Sequence, residues 1–208
     1  MNKQAGLSLI ELMVAVVISS LLILGVTQMF ANSSQSDRMN SAVARVQESG
    51  RVALALIGED ARRAGYQGCS ASSNTKTVNS VHFPDEAIAT AANSVTFRYA
   101  TLENTGVTFG GNKTCDDVAL YYKSVTYDQC ANGTSLCMNG TAILDNATIT
   151  GVSFGVLSDP NIRWVSSASA TPANLSLAHS LRVTLTINDA GNNLSRVYSS
   201  TYELRNRL

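Results

Sequence analysis

From Gln4 to Ser36 the chain carries one charged side chain, Glu11, and this pattern limits its fold more than any other feature. Leu12 to Phe30 is free of charge. As a helix rising about 1.5 Å per residue it spans about 28 Å, close to the roughly 30 Å hydrocarbon core of a bilayer. A secretory signal places its small-residue cleavage site after the apolar core. Here Gly6 precedes the core, so cleavage there leaves the apolar segment on the mature chain. Lys3 stands before the segment and no basic cluster follows closely, which predicts a cytoplasmic N-terminus.

A carboxylate in a membrane segment costs about 2.5 to 3.5 kcal/mol at the helix centre, and less near an end, so Glu11 needs a partner. Cleavage after Gly6 would expose an ammonium on Leu7, one helical turn from Glu11. The helix N-terminus also favours a negative group there. In an assembly of parallel helices, the ammonium of one subunit could instead meet Glu11 of the next. That pairing would fix the axial register, because a mismatched register buries a lone charge.

The run Gly6-Leu7-Ser8-Leu9-Ile10-Glu11-Leu12-Met13-Val14-Ala15 resembles the class III signal of type IV prepilins and type II secretion pseudopilins. The resemblance implies that a prepilin peptidase cuts between Gly6 and Leu7 and methylates the new amine on Leu7, with Glu11 serving assembly. Leu7 and Ser8 stand where the family more often has phenylalanine and threonine, replacements that keep size or polarity.

Beyond the apolar segment, Met39, Val43, Val46, Gly50, Ala53, Leu54, Ile57, Ala61 and Ala64 recur at three- and four-residue steps. This stripe predicts one helix from about Leu7 to Ala64, ended by Gly65. Glu48 with Arg51, and Glu59 with Arg62 and Arg63, are spaced to pair on its solvated side. Gly50 and Gly58 each cost about 1 kcal/mol relative to alanine in a helix, and close packing of a neighbouring strand is the preferred explanation for them.

The remainder reads as strands. Val78 to Phe83, Ser94 to Thr101, Val118 to Tyr122 and Ile149 to Leu157 are β-branched or aromatic runs between turn residues. Leu181, Val183, Leu185 and Ile187 alternate with polar residues, and Asp189 to Asn193 turns the chain into a last strand, Leu194 to Leu204. No second helix-period segment of any length follows, so the expected fold is α+β, with a largely antiparallel sheet leaning on the helix. Triplets such as Asn132-Gly133-Thr134, Asn139-Gly140-Thr141 and Asn146-Ala147-Thr148 read as turns.

Cys69, Cys115, Cys130 and Cys137 all lie beyond the apolar segment, which fits an oxidising compartment. No CxxC pair is present, and a zinc site is disfavoured. Three pairings are open; Cys130 with Cys137, a short loop, and Cys69 with Cys115 is the favoured one.

Signals for catalysis fail on context. Gly151-Val152-Ser153-Phe154-Gly155 matches G-x-S-x-G, yet a nucleophile elbow needs strand, sharp turn and helix. His82 and His179 read as surface or edge residues. No phosphate loop or metal-helix motif stands out, so no cofactor or metal is expected. Charge is balanced at fifteen basic and fifteen acidic residues. Arg45, Arg51, Arg62 and Arg63 are interleaved with Glu48, Glu59 and Asp60, which disfavours nucleic-acid binding.

Two further stretches carry a narrower resemblance: Val46 to Leu54 with Asp60 to Cys69, and the closing Thr201 to Leu208. They are similar to PilW-type minor pilins and, more loosely, to J-type pseudopilins of type II secretion. The resemblance implies a type IV pilin-like fold in four parts: a leader over 1–6, a membrane and filament-core half-helix over 7–31, an amphipathic half-helix over 32–65, and a disulfide-containing head over 66–208. It also implies a non-enzymatic subunit that helps prime type IV pilus assembly near the tip, with a type II secretion pseudopilin or a tip adhesion module as alternatives. Implied partners are other minor pilins, the major pilin, the peptidase, the assembly platform and, in some systems, a tip adhesin. The implied location is the bacterial inner membrane with a periplasmic head, then the pilus.

Overall fold

The computed structural model describes residues 8–69, 75–91, 93–158, 161–171, 175 and 177–206. The chain divides into two compact units, Met1–Arg45 and Val46–Leu208, and a 55-residue helix, α1 (Leu9–Arg63), contributes to both. In the first unit, Leu12 through Phe30 of the helix are exposed. Its polar residues are satisfied locally: the hydroxyls of Ser20 and Thr27 donate to the carbonyls of Val17 and Leu24 at 2.8 and 2.9 Å. Such back-bonding lets a hydroxyl sit in an apolar medium without an unpaired donor.

In the second unit the rest of α1 buries Val46, Ala53, Leu54, Ile57, Ala61 and Ala64 in one core cluster. The predicted stripe holds here, but Met39 is 42% exposed. Among the described residues twelve strands follow: β1 (Lys76–Val78), β2 (Val81–Phe83), β3 (Ile88–Ala91), β4 (Ser94–Thr101), β5 (Thr108–Lys113), β6 (Ala119–Gln129), β7 (Leu136–Met138), β8 (Thr141–Leu144), β9 (Ala147–Ser158), β10 (Asn161–Ser166), β11 (Ala178–Asp189) and β12 (Leu194–Glu203). They form a β1-β2 hairpin, a four-stranded sheet ordered β10-β9-β11-β12, and a six-stranded sheet ordered β3-β4-β6-β7-β8 with β5 also on β6. Every pairing is antiparallel. The layout is thus the expected α+β one, a long N-terminal helix with antiparallel sheets after it.

Strand alternation decides which faces pack. In β4, Val95, Phe97 and Tyr99 enter the core with the helix, as do Leu181, Val183, Leu185 and Ile187 of β11. A second cluster joins Phe83, Phe109, Leu120 and Tyr122 beneath the β1-β2 hairpin. Phe83 meets Phe109 edge-on, with ring centroids 4.8 Å apart.

The run from Val78 to Phe83 is not one strand. Asn79 and Ser80 both take positive φ, 51° and 63°, and fold it into the tight hairpin between β1 and β2. Asn139 and Gly140 likewise have φ of 51° and 79° between β7 and β8, the conformation that Asn-Gly favours in a two-residue hairpin turn. Asp189 caps the next-to-last turn by accepting from the Asn192 amide at 3.2 Å, and Asn193 is left-handed.

Candidate assembly site

The residues expected to direct processing and assembly sit at the start of α1. Gly6 and Leu7 lie outside the described residues. Glu11 is in the first helical turn, its amide donating to the carbonyl of Ser8 at 3.0 Å, and it is exposed. A carboxylate there lies close to the unpaired amides and positive dipole end of the helix.

The head is held to its part of α1 by contacts that the helix pattern prepares. Tyr198 of β12 lies over Gly50, where an added Cβ would fall 2.7 Å from the ring. Tyr202, two periods of strand alternation further, lies over Gly58, where the same atom would fall 2.4 Å from the ring. The Tyr202 hydroxyl donates to the carbonyl of Leu54 at 2.5 Å. Both glycines therefore serve close packing, as their cost to the helix implied.

Asp60, one of the acidic residues interleaved with the stalk arginines in sequence, points into the head instead. It is 9% exposed and accepts from two buried phenols, Tyr99 of β4 at 2.7 Å and Tyr127 of β6 at 2.6 Å. Burial, then the neighbouring Asp60 carboxylate, pushes both phenols well above the ordinary tyrosine range. Burial likewise raises Tyr202. The signal was present in the spacing: Asp60 follows Ile57 by three residues and precedes Ala64 by four, which puts it on the apolar face. By contrast, Arg51 pairs with Glu48 through two hydrogen bonds, and Arg63 pairs with Glu59, on the exposed side as spaced.

The helix ends at Gly65, whose φ of 82° only glycine adopts readily and whose amide donates to the Arg98 carbonyl at 3.0 Å. Beyond it, Cys69 is bonded to Cys115, with Cα atoms 5.3 Å apart, which ties the helix exit to the segment between β5 and β6. Cys130 is bonded to Cys137, with Cα atoms 5.1 Å apart, across the turn from β6 to β7. Asn132 braces that turn by accepting from the amides of Thr134 and Ser135, both at 3.0 Å.

Ser153 lies mid-strand in β9 opposite Arg182 of β11 and Ser166 of β10, so the chain continues as strand on both sides of it instead of turning into a helix. Gly155 serves packing: an added Cβ would fall 2.9 Å from Ile162 and 3.4 Å from the Trp164 ring. His82 hydrogen-bonds the Thr77 hydroxyl within the β1-β2 hairpin at 2.8 Å, and the His179 carbonyl accepts from the Leu204 amide at 2.9 Å.

Comparison with known proteins agrees with this arrangement. Residues 1–27 match the prokaryotic N-terminal methylation motif. Residues 39–204 match prepilin peptidase-dependent protein B, through the middle of the chain where no motif was legible. No curated protein and no solved structure matches the chain. With a methylation motif, an apolar helix that continues into a β-rich head, and a match over well over half its length, the chain belongs to the prepilin peptidase-dependent protein B family, pilin-like proteins processed by a prepilin peptidase.

Proposed function

We propose that this chain is a minor pilin of PilW type, a structural subunit that helps start a type IV pilus and stays at or near its tip. The reading rests on one observation: a methylation motif opens the helix whose later turns form the core of a family-matched head. The peptidase cuts between Gly6 and Leu7 and methylates the Leu7 amine. The four parts are the leader 1–6, the membrane and filament-core half-helix 7–31, the amphipathic half-helix 32–65 and the head 66–208. Before assembly the protein spans the inner membrane once, with its N-terminus cytoplasmic and its head periplasmic. Its partners are other minor pilins, the major pilin and the inner-membrane assembly platform.

Chemistry explains the division of labour. The apolar half-helix is stable in lipid or against like helices, and Glu11 is tolerated there by pairing with the Leu7 ammonium of its own or a neighbouring subunit. The head adds shape and no reaction.

Two measurements test this. Mass spectrometry of the mature protein should find a methylated N-terminal Leu7, and Gly6→Val should block cleavage. Glu11→Gln should be cleaved yet fail to enter sheared pili. Normal pilus numbers after gene deletion would count against a priming role.

A further inference from the structure

A cleft of about 510 Å³ opens where α1 ends, and three guanidinium groups line it: Arg62 and Arg63 from the last helical turn, and Arg205 from the segment after β12. Its volume falls within the roughly 300 to 1,000 Å³ range of ligand pockets. Two of the arginines have a local explanation, since cations in the last turn complement the helix dipole. Arg205 does not. It reaches the same cleft from residues far along the chain, and Asn206 beside it donates to the Arg62 carbonyl at 3.1 Å. Gathering three like charges is unfavourable unless an anion answers them.

The carboxylates nearby answer only in part. Glu59 pairs with Arg63 and Glu203 with Arg205 at 3.6 Å, but all four side chains are more than half exposed. Exposed pairs of this kind contribute about 0 to 1 kcal/mol, so an incoming carboxylate exchanges with them at little cost. Arg62 has no carboxylate partner among the described residues. The walls also carry apolar surface: Leu102 is 62% exposed, Tyr66 is 37% exposed, and Leu120 is buried behind them.

We infer that this cleft receives a short acidic segment of a neighbouring pilin-type subunit, with its carboxylates on Arg62 and Arg205 and an adjoining apolar side chain against Leu102 and Tyr66. The choice of partner rests on the minor-pilin reading; the choice of chemistry rests on the cleft. A guanidinium offers paired donors that match a carboxylate. A nucleic acid is disfavoured because the chain's charge is balanced, fifteen basic against fifteen acidic residues, and three arginines make too small a patch for a long row of phosphates.

The test uses the full chain in a non-ionic detergent. A fluorescein-labelled hexapeptide of alternating glutamate and leucine is titrated by anisotropy, beside its glutamine counterpart and inorganic phosphate. The acidic peptide should bind and weaken with salt, the glutamine peptide should not bind, and Arg62→Glu with Arg205→Glu should weaken binding on the order of tenfold or more. Should that variant fold poorly, Leu102→Glu, which places a competing carboxylate at the rim, should give the same loss. Equal binding of both peptides, unchanged binding in a well-folded charge-reversed variant, or tighter binding of phosphate than of the acidic peptide would each overturn the inference. The titration needs no processing and no filament, so its failure leaves the minor-pilin reading standing, and a failure of processing leaves the cleft standing.

Discussion

The ring of Tyr202 rests on Gly58 while its hydroxyl donates to the carbonyl of Leu54, one turn earlier on α1, at 2.5 Å. The aromatic ring is thus pinned at both ends against a groove made by a missing side chain. Helix propensity alone predicts that alanine would stabilise this site by about 1 kcal/mol, whereas overpacking against a fixed ring costs about 1 to 3 kcal/mol. Packing wins here, and Gly58→Ala is expected to lower stability by about 1 kcal/mol net. Gly50→Ala should cost less, since Tyr198 is only half-buried and has more room to turn. Urea denaturation in detergent, followed by the fluorescence of Trp164, ranks the two; a more stable Gly58→Ala protein would refute the argument.

Asp60 is the acceptor for two phenols on almost wholly buried tyrosines. Asp60→Ala removes both charge-assisted bonds and leaves two buried donors unpaired, an expected loss of about 3 kcal/mol. Asp60→Asn keeps one acceptor oxygen and should recover part of it. The same denaturation series measures both, and an Asp60→Ala loss below that of Asp60→Asn would contradict the assigned geometry.

Stability should also fall in alkali. Tyr99, Tyr127 and Tyr202 are all raised above the ordinary phenol value in the folded protein. Below about pH 10 folded and unfolded chains both hold these protons, and stability is independent of them. Above that, the unfolded chain releases protons that the folded chain retains, so stability declines as pH rises. Melting temperatures at pH 8 and pH 11 should show the drop, and Tyr127→Phe should make it shallower.

The two disulfides close loops of different length, with sequence separations of 46 and 7 residues. Chain entropy assigns about 4 kcal/mol to the first and about 2 kcal/mol to the second. Cys69→Ser with Cys115→Ser should therefore destabilise the head more than Cys130→Ser with Cys137→Ser. Equal losses would indicate that native contacts, not loop closure, set the values.

The sequence revealed the long helix because its apolar stripe repeats over many turns, and it revealed β4, β9, β11 and β12 because their alternation or length exceeds chance. Strands such as β7 and β8 are too short to show a period, and β5 is interrupted by Gly110 and Gly111, both at positive φ. Gly50 and Gly58 signalled close packing, but which tyrosines fill the grooves depends on the register of β12. The burial of Asp60 was not legible, because its two phenol partners come from β4 and β6, although its position on the apolar face was visible. The arginine cleft was illegible for another reason: Arg205 joins Arg62 and Arg63 only through tertiary folding.

Because Tyr198 and Tyr202 belong to β12, the clasp on α1 is supplied by residues that leave the ribosome after every other strand, and the Tyr202 bond to Leu54 bridges 148 positions. Contacts this distant in sequence form late and slow folding. The grooves at Gly50 and Gly58 therefore stay empty until the final strand has been made. A chain cut short before β12 would keep that seam open.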